Sequence, residues 1–95
     1  MDHGQLPEGL TLTRTTNEFD SASVPPGLLK GHTVADDVWG RIRVHAGSLR
    51  FVWEDDRSEA VAVGLTAGDS LVIPPLTRHH VEPGDDARFV VEFHR

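Results

Sequence analysis

The stretch GDSLVIPPLTRHHVEPG, from Gly68 to Gly84, ends a short apolar run in two prolines and then presents the adjacent imidazoles of His79 and His80. A loop has no need of imidazoles, whereas a metal site often does, because imidazole is the commonest protein ligand for transition metals. Neighbouring residues of a strand point to opposite faces, so His79 shares a face with Val81, and His80 shares the other with Glu82. We assign His79 to the inward face and His80 to the outward one. The chain has no cysteine, which removes thiolate metal sites, disulfides and a cysteine nucleophile and leaves His, Asp and Glu to hold any transition metal. Of the other histidines, His3 belongs to a chain end expected to fray, His45 falls out of phase with Ile42 and Val44 and reads as a surface residue, and so does His94. His32 closes the segment SASVPPGLLKGHTV, which reads as a strand interrupted by Pro25, Pro26 and Gly27.

The elements that would position these groups are strands. From Thr11 onward apolar residues recur with period two in short segments separated by Gly, Pro and acidic pairs. The clearest are RIRVHAG with Ile42 and Val44 on one face, SLRFVWE with Leu49, Phe51 and Trp53, EAVAVGL with Val61, Val63 and Leu65, and ARFVVEFHR with Phe89, Val91 and Phe93. HAGS is expected to close a hairpin between the first two, and EDDRSE, LTAGD and EPGDD supply the later turns. Trp39 and Trp53 are expected to anchor the core, and Lys30, Arg41 and Arg43 to lie on a solvated outer face. No helix is expected. Short strands at this spacing, each with one apolar face, must close on themselves or on a second sheet, which predicts an all-β sandwich or barrel.

Composition bounds the rest. At 95 residues the chain fits one domain with a thin core, divided here into an N-terminal segment, 1–10, partly flexible, and a β domain, 11–95. A formal net charge of −6 repels phosphate backbones, so nucleic acid is not an expected partner. The start MDHGQLPEGL lacks a basic segment followed by an apolar one, and no apolar run approaches the roughly 20 residues of a membrane span. A cytoplasmic protein with no membrane partner is the expectation.

The skeleton Gly68, five residues, Pro74, one residue, Leu76, two residues, His79, three residues, Pro83 resembles the second cupin motif, with Gly, Pro and His in register and Leu76 and Pro83 replacing its second Gly and its Asn. The segments VPPGLLKGHT, WGRIRVHAGSLRF, IPPLTRHHVEPGDD and RFVVEFHR together resemble small single-domain cupins of the tellurite-resistance TehB/YeaR-like family, over Leu6 to Arg95. The matching features are His32, Trp39–Gly40, Gly47, His79 and the stretch from Phe89 to Phe93; Val34 stands where the family often carries Lys. The resemblance implies a cupin-like jelly-roll β-barrel with a divalent metal, zinc, iron, nickel or manganese, held by His32 and His79. Two histidines need a further ligand. The resemblance favours Glu92, although alternation places it opposite Phe89, Val91 and Phe93; Asp36 and Asp37 are the alternatives.

Three readings of function follow. The first is a metal-binding small cupin that takes a small molecule or oxyanion in a tellurite, oxyanion or nitrosative stress response. The second is a metal-dependent enzyme of the non-haem dioxygenase or isomerase type, which needs open metal positions and a general base. The third is a metal-free interaction module. No Ser-His-acid arrangement or phosphate-cradling glycine loop supports another enzyme class. Val52 and Val90, outward by alternation, are expected to be exposed and to pair two copies face to face as a homodimer.

Overall fold

A computed structural model of the chain describes residues 2–26, 37–54 and 61–95. Among these residues the structure is all β: β1 (Asp2–His3), β2 (Leu12–Thr15), β3 (Phe19–Asp20), β4 (Trp39–Ala46), β5 (Ser48–Trp53), β6 (Val61–Thr66), β7 (Ser70–Ile73), β8 (His79–Pro83) and β9 (Arg88–His94). They form two sheets. The larger runs β1-β7-β4-β9-β2, with β3 also pairing β9, and the smaller runs β6-β5-β8. The sheets enclose one apolar core and are not closed into a barrel.

The core follows the alternation read from the sequence. Ile42 and Val44 of β4, Leu49, Phe51 and Trp53 of β5, Leu65 of β6, Leu71 and Ile73 of β7, Val81 of β8, and Phe89 and Val91 of β9 form one buried cluster, with Val63 and Phe93 packed at its margin. Burying such side chains contributes about 1.5–3 kcal/mol each. Phe51 and Phe89 are fully enclosed, one from each sheet. Trp53 anchors this core as expected, edge-on to Phe51 with centroids 4.7 Å apart. Trp39 does not: it is half-buried and lies opposite His94 on β9, on the outer face of the larger sheet.

Pairing differs from the expected hairpins. β4 and β5 flank Gly47 but lie in different sheets, as do β6 and β7 around Gly68, and β8 and β9 around Gly84. β5 and β6, by contrast, pair in an uninterrupted register from Ser48↔Thr66 to Trp53↔Val61. Local turn chemistry can reverse a chain within a sheet or between sheets, and here the apolar faces must meet across the core, so three of the four turns became corners. The corners are tied together: Gly68 N–H donates to Val44 O and Gly84 N–H donates to Ser48 O, each at 2.9 Å.

Other expectations also changed. Positions 21–26 form turns rather than a strand, held by Asp20 Oδ1, which accepts from the N–H groups of Ala22 and Ser23 at 2.9 and 2.8 Å. The segment before residue 11 contributes an edge strand: Asp2 and His3 pair in parallel with Ser70 and Leu71, and Ser70 Oγ donates to Asp2 Oδ1 at 2.6 Å. Val52 and Val90 do point outward, yet they are only 5% and 8% exposed, so the apolar patch expected to pair two copies is absent there. Val52 lies opposite His80 on one side and Ala62 on the other, and Val90 lies opposite Arg43.

Gly47 is the corner with least tolerance. Its φ is +67°, and a Cβ there would stand 2.4 Å from the carbonyl oxygen of Asp86. A left-handed backbone disfavours any Cβ, and the obstructing atom is backbone that cannot rotate away. Gly47→Ala is expected to lower unfolding free energy by about 2–4 kcal/mol, measured by urea denaturation, whereas Gly64→Ala, with nothing within 4 Å of the added atom, should leave it nearly unchanged.

Candidate functional site

The corners cluster at one end of the molecule, and the histidine pair lies at the other. β8 runs antiparallel to β5 with Pro83 opposite Leu49 near the corners and His79 opposite Trp53 at the far end. Pro74 and Pro75 end β7, and Leu76, with φ +60° and 63% exposed, turns the chain into β8. As alternation required, the two imidazoles part at this point.

His79 faces inward and is 2% exposed. Its ring stacks on Phe51, centroids 5.0 Å apart and planes 20° apart. Nδ1 lies 2.9 Å from the carbonyl oxygen of Thr77; a carbonyl only accepts, so Nδ1 carries the proton. In the neutral ring the lone pair then resides on Nε2, the tautomer that second-shell carbonyls impose on metal-ligating histidines. An inner-face imidazole with fixed ring plane and fixed tautomer is prepared to act as a ligand or hydrogen-bond acceptor.

His80 faces outward into a row of charges along the smaller sheet. Its Nδ1 bonds Glu54 Oε2, and its Nε2 lies 2.8 Å from Glu82 Oε2. Arg78 approaches Glu54, and Arg50 approaches Glu82. A carboxylate on each nitrogen favours the imidazolium, in which both nitrogens donate. The bond to Glu82, then that to Glu54, raises the His80 pKa against partial desolvation, and the bond to His80 lowers that of Glu82. On the same face Ser48, Arg50, Gly64, Thr66, Glu82 and Gly84 line an open groove, which the sheet separates from His79.

The remaining site candidates are dispersed. Glu92 lies on the outer face of the larger sheet, where Arg43 Nε donates to its Oε2 at 2.8 Å and His94 Nε2 stands 3.5 Å from Oε1. The structure therefore does not bring Glu92 to His79. Asp37, exposed and with φ +67°, accepts from Arg95 through both carboxylate oxygens at 3.2 Å. His32 and Asp36, like Lys30, lie outside the described residues. Among the described residues no three His, Asp or Glu side chains are gathered as a metal cage. Sequence reasoning missed the Glu54–His80–Glu82 row. Period-two spacing of His80 and Glu82 signals its second half, but Glu54 comes from another strand and shows only through pairing.

Fold and site together define a small two-sheet β protein with, among the described residues, one buried, oriented histidine at the end away from the corners. The profile of the TehB-like domain matches residues 14–91, and the chain belongs to that family. Among solved structures it is similar to a protein from E. coli (strain K12), with 26% identity, a TM-score of 0.85, and coverage of 96% of this chain and 95% of that one. It is also similar to TehB from Haemophilus influenzae, with 19% identity and a TM-score of 0.82. That match covers 92% of this chain and 32% of TehB, so the chain spans about a third of TehB, and the likeness shows the fold alone. Comparison with curated proteins gives no match. Among the described residues no helix is long and apolar enough to cross a membrane.

The His80 row sets a pH dependence of stability. A raised histidine pKa stabilises the fold fully below the ordinary value of 6.5 and loses that contribution as pH rises through the folded value. The lowered Glu82 pKa acts oppositely: its contribution is complete above the ordinary value of 4.5 and is lost as pH falls through the folded value. The row thus stabilises most between these limits. Urea midpoints should decline from pH 6 to pH 9, and His80→Gln should flatten that decline.

Proposed function

We propose that this protein is a cytoplasmic small cupin of jelly-roll type that binds a divalent metal at His79, on the inner face of the smaller sheet, and uses it to take a small molecule or oxyanion. The observation that carries this reading is His79: buried, stacked on Phe51, and protonated at Nδ1 by its bond to Thr77 O. The Thr77 carbonyl sets on Nδ1 the proton that second-shell carbonyls set on metal-ligating histidines. His32, which the family resemblance aligns with the same site, is the proposed second ligand. Membership of the TehB-like family supports a role in tellurite or a related oxyanion or nitrosative stress.

The metal would act as a Lewis acid toward the ligand's oxygen atoms. The chain's own contribution is to orient His79 and to keep Phe51 and Trp53 as apolar walls beside it. Binding is favoured over catalysis because, among the described residues, the two candidate carboxylates are engaged elsewhere, Glu92 by Arg43 and Asp37 by Arg95. With Glu92 on the outer face, water or the bound oxyanion would complete the metal's sphere.

Elemental analysis of untagged protein purified without chelator tests this. About one equivalent of metal is expected, lost in His79→Gln and kept in His80→Gln, with circular dichroism confirming that both variants fold. Metal that survives His79→Gln, or none in the wild type after incubation with zinc, iron, nickel and manganese salts in turn, would overturn the reading.

A further inference from the structure

Edge strands are pairing hazards that proteins blunt with charge, proline, shortness or bulges. In the larger sheet, β1 has two residues, and β2 carries Arg14 and a register shift between Leu12 and Arg14. In the smaller sheet, β8 carries Glu82 and ends in Pro83. β6 has none of these devices. Its six residues, VAVGLT, hold no charge and no proline, and its register with β5 is unbroken.

The backbone of β6 shows what it offers. Ser48 O accepts from Gly84 N–H, and Glu54 N–H donates to Arg78 O, so the even-numbered residues of β5 turn their backbone groups toward β8. Because these groups alternate along a strand, Leu49, Phe51 and Trp53 exchange hydrogen bonds with Leu65, Val63 and Val61. The N–H and C=O groups of Ala62, Gly64 and Thr66 therefore point away from β5. Those of Thr66 are taken: its N–H donates to Asp69 Oδ2, and its carbonyl accepts from Asp69 N–H, both at 2.9 Å. Ala62 and Gly64 are exposed, and their four outward groups have no partner among the described residues.

We propose that β6 pairs antiparallel with β6 of a second copy, about a two-fold axis at Val63. A two-fold axis normal to the sheet keeps outer face on outer face, so directly opposed residues must differ by an even number. Centring the axis on Gly64 would set Ala62 against Thr66, whose groups are already engaged. Centring it on Val63 sets Ala62 of each copy against Gly64 of the other, and each such pair exchanges two N–H···O bonds, which satisfies all four outward groups of both chains. The same register brings the two half-buried Val63 side chains together at the margin of the cores. A second copy is the occupant because the donor and acceptor pattern is its own complement about Val63 and β6 has no charge to select a foreign strand. Each copy has a net charge of −6, yet the paired segment carries none of it.

Light scattering between 1 and 500 µM, together with cysteine cross-linking, tests the pairing. The expected mass at the upper end is twice the 10.4 kDa of one chain, falling to a single chain in Gly64→Pro, which removes one outward N–H without touching a bond to β5. The chain has no cysteine of its own, so single substitutions report cleanly. Opposed Val63 residues form a non-hydrogen-bonded pair with Cα atoms about 4.5 Å apart, within disulfide reach. Val63→Cys should therefore oxidise to a covalent dimer at least tenfold faster than Ala62→Cys, which faces Gly64. A wild type of one chain mass throughout, a dimer that persists in Gly64→Pro, or Ala62→Cys cross-linking as fast as Val63→Cys would each overturn the proposal.

Discussion

The architecture depends on three corners packed against one another at one end of the two sheets. Gly47 admits no Cβ beside the Asp86 carbonyl, and its neighbours Val44 and Ser48 accept the N–H groups of Gly68 and Gly84. Each corner thus uses the backbone of another as its partner, which satisfies groups that a tight turn would otherwise leave unpaired. With the corners fixed, β4 and β5 diverge into opposite sheets with their apolar faces toward each other. Phe51 and Phe89 are then enclosed in one core from opposite sheets, and His79 comes to rest on Phe51.

Strand alternation carries this order into the chemistry. His79 and His80 differ by one residue and share almost nothing else. One is enclosed, stacked on Phe51 and oriented through Nδ1 by a backbone carbonyl. The other is the centre of a charged row that favours the imidazolium. Val52 and Val90 show parity from the other side: both point away from the core, and both are nonetheless buried. Surface that would have driven face-to-face association is thereby used within one chain.

The sequence by itself determined the strands of the core, their inward residues, and the opposite facing of His79 and His80, because side-chain direction in a strand depends on parity alone. Parity also set Glu92 apart from Phe89, Val91 and Phe93, and the structure places it on the outer face with Arg43. Only tertiary structure decided which strands pair. HAGS has the composition of a hairpin turn, but whether the chain folds back in its own sheet or crosses to the other depends on where the apolar faces can meet. The same holds for Glu54, brought to His80 by the pairing of β5 with β8, and for Val52 and Val90, whose burial comes from residues of neighbouring strands. Period two tells which way a side chain points; what it meets there is set by contacts between residues far apart in the chain.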